Sequence, residues 1–350
     1  FLDHAATWSG DTEAVWAEAG TAVARFGYAT LRDRANRLSG ALATLGVGVG
    51  DRVGTLAWNT RHHLEVYYGV MGMGAVCHTL NPRLTPAQLA TMIVEADDRV
   101  LAVAADLLPL ARQVLPDCQG VRHVIVLDAE ATDHDLSLET LLRDHGAPHR
   151  WGDFDEHAPA GLCYTSGTTG RPKGVIYTHR SNYLHTLRAL QADAFAITAR
   201  DTLLLGVPMF HANGWGLPFA APAAGTKLVL PGRNLDGASL ARLIRDEGVT
   251  VAVGVQTLWL GLVDYLDRTS EEVPTLQRVV IGGSACPEAL VARLESRLGA
   301  RVQASWGMTE LSPLGTIAPP ASTFPAGSAG RPPVGLDLKL TDASGVTLPE

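Results

Sequence analysis

Two textures of apolar positions alternate along the chain. Some form short unbroken runs as long as a buried strand; others recur every third or fourth residue, the spacing of a helix with one covered face. Leu31, Ala35, Leu38, Leu42 and Leu45 lie on one such face, with Thr30 as N-cap, Asp33 in the first turn and Gly46 as the stop. Residues 51–57 then read as a strand, followed by a helix near 61–73, a strand near 75–79, a helix over 85–96, and strands at 100–104 and 121–127. The second half repeats the pattern, with helices near 181–193, 236–247, 256–266 and 287–298 between strands near 202–207, 226–230, 249–253 and 277–281. Such alternation predicts an α/β fold: two βαβ-type subdomains with mainly parallel sheets sandwiched by helices. The charged, His/Asp-rich stretch 128–157 reads as a surface connection, which puts the first subdomain at 1–157 and the second at 158–326. From residue 327 the texture changes. Residues 335–340 alternate at period two, residues 342–345 supply a turn and 346–348 a return, the start of a small β-subdomain over 327–350.

Composition narrows the function classes. A chain of 350 residues with 46% apolar content can bury a sizeable core, and a formal charge of −8 argues against a nucleic-acid or anionic-membrane binder. Four cysteines, Cys77, Cys118, Cys163 and Cys286, stand far apart and read as reduced thiols, and no Cys/His grouping suggests zinc. No apolar stretch reaches the ~18 residues of a membrane span, and no signal peptide is visible, so a cytoplasmic setting is expected. The start at Phe1, without a methionine, suggests that residues precede it. Lysine is scarce. Only Lys173, Lys227 and Lys339 occur, so a catalytic lysine is one of these or lies outside this chain.

The densest chemistry is in the run Tyr164-Thr-Ser-Gly-Thr-Thr-Gly-Arg-Pro-Lys-Gly174. Gly167, Gly170 and Gly174 permit close backbone approach, Thr165, Ser166, Thr168 and Thr169 offer hydroxyls and N–H groups to anionic oxygens, and Lys173 adds a point charge. Apolar runs on both sides read as strands, so the loop is a turn between strands and not an entry to a helix. The Walker spacing does not fit: Lys173 follows Pro172, and Gly174 stands where that pattern has a hydroxyl. A flexible Ser/Thr/Gly surface loop is the bland alternative.

Three further segments follow in order. Pro208-Met-Phe-His211-Ala-Asn213-Gly-Trp215 sets an imidazole and an indole four residues apart, on one face if a helix starts there. Gly282-Gly-Ser-Ala-Cys-Pro287 ends a strand with a bare backbone turn against which a planar base can lie. Trp306-Gly-Met-Thr309-Glu310 brings an aromatic face, a hydroxyl and a carboxylate together.

Together these four segments resemble the core motifs of the adenylate-forming superfamily, the acyl-CoA synthetases, luciferases and peptide-synthetase adenylation domains, in order and spacing over about 30–348. Within it the chain most resembles bacterial medium- and long-chain fatty acyl-CoA synthetases, through Gly69-Val-Met-Gly-Met-Gly74, Asn81-Pro-Arg-Leu-Thr-Pro86 and the segment from His211 to Trp215. The resemblance implies ATP-dependent activation of a fatty acid to acyl-AMP and transfer to CoA. It implies that Thr165, Ser166, Gly167, Thr168, Thr169, Gly170 and Lys173 hold the β- and γ-phosphates of ATP. Gly282, Gly283 and Ser284 would contact adenine, and Trp306, flanked by Ser305 and Gly307, would stack on it. Thr309 would bond the α-phosphate, and Glu310 with Thr165 would hold Mg²⁺. His211 would stand beside the reacting carboxylate and α-phosphate as a donor to developing charge, with a core histidine as the alternative. Ala212, Trp215 and Gln256 would bound the acid. Trp215 is either a wall or gate of the acyl tunnel or plain core packing, and Trp259, Leu260 and Leu262 would line the same tunnel or the core.

Other readings stay open: an aryl-acid or fatty acyl-AMP ligase of the same superfamily, and a non-catalytic nucleotide-binding module. The family's ribose-binding aspartate, hinge and small C-terminal domain with its adenylation lysine are expected beyond residue 350. The chain by itself is therefore expected to bind ATP and acid but to turn over poorly. A homodimer is expected by analogy alone.

Overall fold

The computed structural model describes residues 1–18, 22–131, 135–165, 172–320, 325 and 327–348. Among them the strands are β1 (Glu13–Ala17), β2 (Val23–Gly27), β3 (Arg52–Leu56), β4 (Val76–Thr79), β5 (Asp98–Val103), β6 (His123–Val126), β7 (Leu136–Ser137), β8 (Pro159–Thr165), β9 (Lys173–Thr178), β10 (Thr202–Leu205), β11 (Lys227–Leu230), β12 (Val251–Val255), β13 (Arg278–Gly282), β14 (Arg301–Gly307) and β15 (Leu314–Ile317). They form two sheets, one of eight strands in the order β15-β14-β13-β12-β10-β11-β1-β2 and one of seven in the order β7-β6-β5-β3-β4-β8-β9. Pairing is parallel except at β1/β2, β14/β15 and β8/β9. Crossover helices return the chain between parallel strands, Arg61–Gly72 and Gln256–Thr269 between neighbours, Pro86–Ala96 and Gly237–Glu247 across one intervening strand, as the alternating texture predicts.

Each sheet draws strands from both sides of the expected boundary at 157/158. β1 and β2 extend the eight-stranded sheet, whose other strands all follow residue 200, and β8 and β9 extend the seven-stranded sheet beside β4. The largest apolar core correspondingly takes residues from both sheets, including Val53, Cys77, Leu203 and Val253. Hydrogen bonds stitch the halves: Asn59 Nδ2 donates to the carbonyls of Leu205 and Val207, and Asn59 Oδ1 accepts from Met209 N.

Three local expectations are corrected. The helix assigned to Thr30 starts at Tyr28, with Gly27 as an N-cap that uses no side chain. Its first N–H groups reach the carbonyls of Thr12 and Gly10 instead, so tertiary contact replaces the Thr30 cap. The stretch 128–157 is more than a surface connection. It contains the helix Leu138–His145, capped by Ser137, which buries Leu138, Leu141 and Leu142; the helix Tyr28–Thr44 reaches it through Arg37, which donates to the carbonyls of Leu142 and Gly146. Its charges concealed it, because Glu139 is partnered by Arg34 and Arg61. Finally, the hairpin at 335–348 is a single Thr341/Thr347 bridge around a turn, with Leu338, Leu340, Val346 and Leu348 exposed.

All four cysteines are buried free thiols. No helix among the described residues is long and apolar enough to cross a membrane.

Candidate active site

Parallel strands place their carboxyl ends along one edge, where the following loops form a crevice. Here the loops after β10, β13 and β14 border an open cleft lined by His211, Ala212, Trp215, Gly282, Gly283 and the run from Ser305 to Thr309. A second cleft shares Gly283, Ser305, Trp306 and Gly307 and runs on past Ser284, Ala285 and Cys286. Three of the four segments singled out in the sequence, which run from Pro208 to Glu310, therefore meet.

The two glycines at the end of β13 serve different ends. A Cβ on Gly282 would stand 2.8 Å from the Trp215 ring and 2.7 Å from Ser305 Oγ, so the indole lies directly on that backbone. Gly283 has room, its nearest side chain being Val255 at 3.4 Å, but its φ of +83° favours glycine. Ser305 Oγ donates to the Ile281 carbonyl at 3.0 Å, and Ser284 Oγ donates to Gln256 Oε1 at 3.1 Å. Trp306 rests one side of its ring on Gly315 and keeps 42% of its surface exposed, an open face for a planar ligand. Thr309 is buried, and its carbonyl accepts from Tyr177 Oη at 2.8 Å, so β9 is tied to the turn carrying Thr309 and Glu310. Burial pushes the Tyr177 phenol far above its usual range, with the Glu310 charge adding to the effect.

The segment after His211 is not the expected right-handed helix. Ala212, Asn213, Gly214, Trp215 and Gly216 have φ of 44°, 50°, 60°, 55° and 72°, one turn of left-handed backbone. For Ala212 and Trp215 this costs about 1–2 kcal/mol each, and less for Asn213. Hydrogen bonds from Gly214 N to the His211 carbonyl and from Gly216 N to the Asn213 carbonyl close the turn. The result is that His211 and Trp215 both face the cleft, as a shared face was meant to achieve, but through the opposite hand. His211 is exposed as a whole, while partial desolvation of its ring where it lines the cleft lowers its pKa.

Thr165 ends β8 and Lys173 opens β9, paired across an antiparallel ladder, so the glycine-rich run joins two strands as expected. Ser166, Gly167, Thr168, Thr169 and Gly170 lie outside the described residues. The Lys173 side chain is exposed, whereas Lys227 is engaged by Glu247 at 2.9 Å and Glu13 at 3.4 Å. Gln256 holds Ser284 and does not line the main cleft, and Trp259 and Leu262 are fully buried in a separate core. The sequence reading missed Phe195, Pro313 and Leu314 among the lining residues, because nothing in their spacing marks them, and gave Met308, inside a singled-out segment, no role.

No group of three or more His, Cys, Asp or Glu side chains that could hold a metal occurs among the described residues. A dedicated protein cage is thus lacking there. A cation bound at Glu310 would take most of its oxygens from a ligand, the habit of a hard ion such as Mg²⁺ beside a lone carboxylate.

Comparison with known proteins agrees with this geometry. The chain is 40% identical over 364 residues to a 3-methylmercaptopropionyl-CoA ligase of Ruegeria lacuscaerulensis, covering 99% of this chain and 68% of that protein. It is 40% identical over 365 residues to a medium-chain-fatty-acid–CoA ligase of Ectopseudomonas oleovorans, covering 100% and 67%. It is 47% identical over 314 residues to a long-chain-fatty-acid–CoA ligase of Thermus thermophilus, covering 90% and 57%. The inhibitor-bound N-terminal domain of FACL13 from Mycobacterium tuberculosis superposes with a TM-score of 0.87 at 27% identity, covering 99% of this chain and 85% of that one. The model of the AMP-binding enzyme family matches residues 1–350, and the chain belongs to that family.

Proposed function

We propose that the protein is an acid–thiol ligase that activates a fatty acid with ATP, forming acyl-AMP and pyrophosphate, and passes the acyl group to CoA. The observation that carries this reading is the convergence of His211, Gly283, Trp306 and Thr309 on one cleft at the carboxyl edge of a parallel sheet. The identity to medium- and long-chain fatty acid ligases supports the substrate class.

A carboxylate has no adequate leaving group, so its oxygen first attacks the α-phosphorus and pyrophosphate departs with the P–O bonding pair. The thiol sulfur then attacks the acyl carbon, AMP leaves with the C–O pair, and the thiol proton goes to solvent or a base. Negative charge crowds around phosphorus in the first step, so fixed donors count most. In this reading His211 donates its N–H to that charge, Thr309 bonds the α-phosphate, Trp306 stacks on adenine beside Gly282, Gly283 and Ser284, and Ala212 and Trp215 bound the acid, with Gln256 acting through Ser284. Thr165 and Lys173, with the loop residues between them, hold the β- and γ-phosphates. Glu310 and Thr165 would hold Mg²⁺, which supplies charge neutralisation at the triphosphate. The same reading takes a homodimer from the resemblance alone, which light scattering tests, and a cytoplasmic location from the lack of a visible signal peptide or membrane-length apolar stretch in the sequence.

Acid-dependent exchange of labelled pyrophosphate into ATP tests the reading across octanoate, palmitate, 3-(methylthio)propanoate and benzoate. Exchange with the alkanoates is expected. Exchange with benzoate alone overturns the fatty-acid assignment. Selective exchange with 3-(methylthio)propanoate favours the second reading, a short thioether acid, which the Ruegeria relative supports.

A further inference from the structure

The left-handed turn that carries His211 and Trp215 needs something to hold it, and a buried polar network below the cleft does so. Asn213 is 2% exposed, and its Oδ1 accepts from the Cys163 thiol at 3.3 Å and from Tyr67 Oη at 3.5 Å. The same network grips the backbone on the other side of His211. Tyr67 has one hydroxyl proton, aimed chiefly at the nearer Met209 carbonyl and shared with Asn213 Oδ1, and Thr79, which meets Cys163 Sγ at 3.3 Å, donates to the Phe210 carbonyl at 3.4 Å. The Asn213 amide lies across β8 where Gly161 has no side chain: a Cβ there would stand 2.8 Å from Nδ2, its other neighbours being 3.6 Å away. Asparagine is also among the few residues that tolerate this backbone region.

We propose that Asn213 is a positioning residue: its buried carboxamide, clamped between Cys163, Tyr67 and the bare backbone of Gly161, holds the turn that sets His211 and Trp215 in the cleft. This rests on the activity proposed above for its catalytic consequence, but its structural content does not. Because Cys163 stands two residues before Thr165 on β8, the clamp also ties the strand that opens the glycine-rich loop to the wall of the acid site. The backbone tolerance alone would be met by glycine, so the Asn213→Gly variant separates the amide from the φ.

The test uses protein labelled with 5-fluorotryptophan, its seven tryptophan resonances read by ¹⁹F NMR and Trp215 assigned with Trp215→Phe. In Asn213→Gly the Trp215 resonance is expected to shift or split while the other six stay in place. Gly161→Ala, which keeps Asn213 and displaces it, gives the same readout should Asn213→Gly fail to fold. Cys163→Ser keeps a donor to Oδ1 and is expected to leave the Trp215 signal near its original position, whereas Cys163→Ala moves it. In pyrophosphate exchange, Asn213→Gly and Gly161→Ala are expected to raise the KM for acid at least tenfold and that for ATP less than threefold. An unmoved Trp215 resonance in the folded variants overturns the proposal, as does an equal rise in both KM values, the mark of general loosening. A parent protein without acid-dependent exchange would overturn the activity, while the Trp215 resonance would still judge the clamp.

Discussion

Gly282 and Gly283 are adjacent, alike in composition and different in what they require, so replacing each by alanine separates space from backbone conformation. At Gly282 the new Cβ would come 2.8 Å from a Trp215 ring carbon and 2.7 Å from Ser305 Oγ. Carbon contacts are most favourable near 3.5–4.0 Å, so the indole must retreat by about 1 Å. Its open side is the cleft. Overpacking of this kind costs about 1–3 kcal/mol, or about 5- to 150-fold if it falls on a ligand that uses the same space. At Gly283 the Cβ meets nothing closer than 3.4 Å, and only the φ of +83° is charged against the variant, about 1–2 kcal/mol in free and bound protein alike. Calorimetric titration with a hydrolysis-resistant acyl-adenylate analogue reads the first effect, and chemical denaturation reads the second. Gly282→Ala is expected to lose at least fivefold in analogue affinity with little change in denaturation midpoint; Gly283→Ala is expected to show the reverse. If Gly282→Ala binds the analogue within twofold of the parent, the indole does not wall the ligand site as described.

Further outcomes follow from the same geometry. Trp306→Ala is expected to weaken ATP by about 5- to 150-fold, since stacking on an aromatic face contributes about 1–3 kcal/mol, while Trp306→Tyr keeps most of the affinity; equal titrations for both variants would remove Trp306 from the adenine site. Tyr177→Phe leaves the buried Thr309 carbonyl without its donor, a loss of about 1–3 kcal/mol, and is expected to raise the Mg²⁺–ATP KM by about tenfold with a smaller effect on the acid KM. His185 packs against Gly216, and burial, with Arg188 adding to it, lowers its pKa to about 3. The folded pKa lies below the unfolded 6.5, so its contribution is intact above about pH 6.5 and lost as pH falls from there toward 3, by about 2 kcal/mol at pH 5. Urea midpoints at pH 7.5 and 5 should differ less in His185→Leu than in the parent, and identical pH slopes would contradict this.

Much of this protein was legible in one dimension. The alternation of apolar runs with helical periodicity determined an α/β chain, because strands buried on both faces and helices covering them leave different spacings. The resemblance of four motifs to one superfamily implied that His211, Gly283, Trp306 and Thr309 serve one site, and in the structure all four line one cleft at the ends of parallel strands. What tertiary structure alone decided is handedness, sheet membership and capping. The spacing of His211 and Trp215 reads as an ordinary helix, since a four-residue interval carries no sign. The left hand is selected by Asn213 meeting Cys163 and Tyr67, residues 50 and 146 positions away. Gly27 caps its helix only because carbonyls of residues 10 and 12 fold beneath it, and β1 and β8 join sheets built mostly by the other half of the chain. Local pattern records which face of an element is covered. Which distant backbone and side-chain partners meet is set by packing, and here that packing holds the turn at the centre of the site.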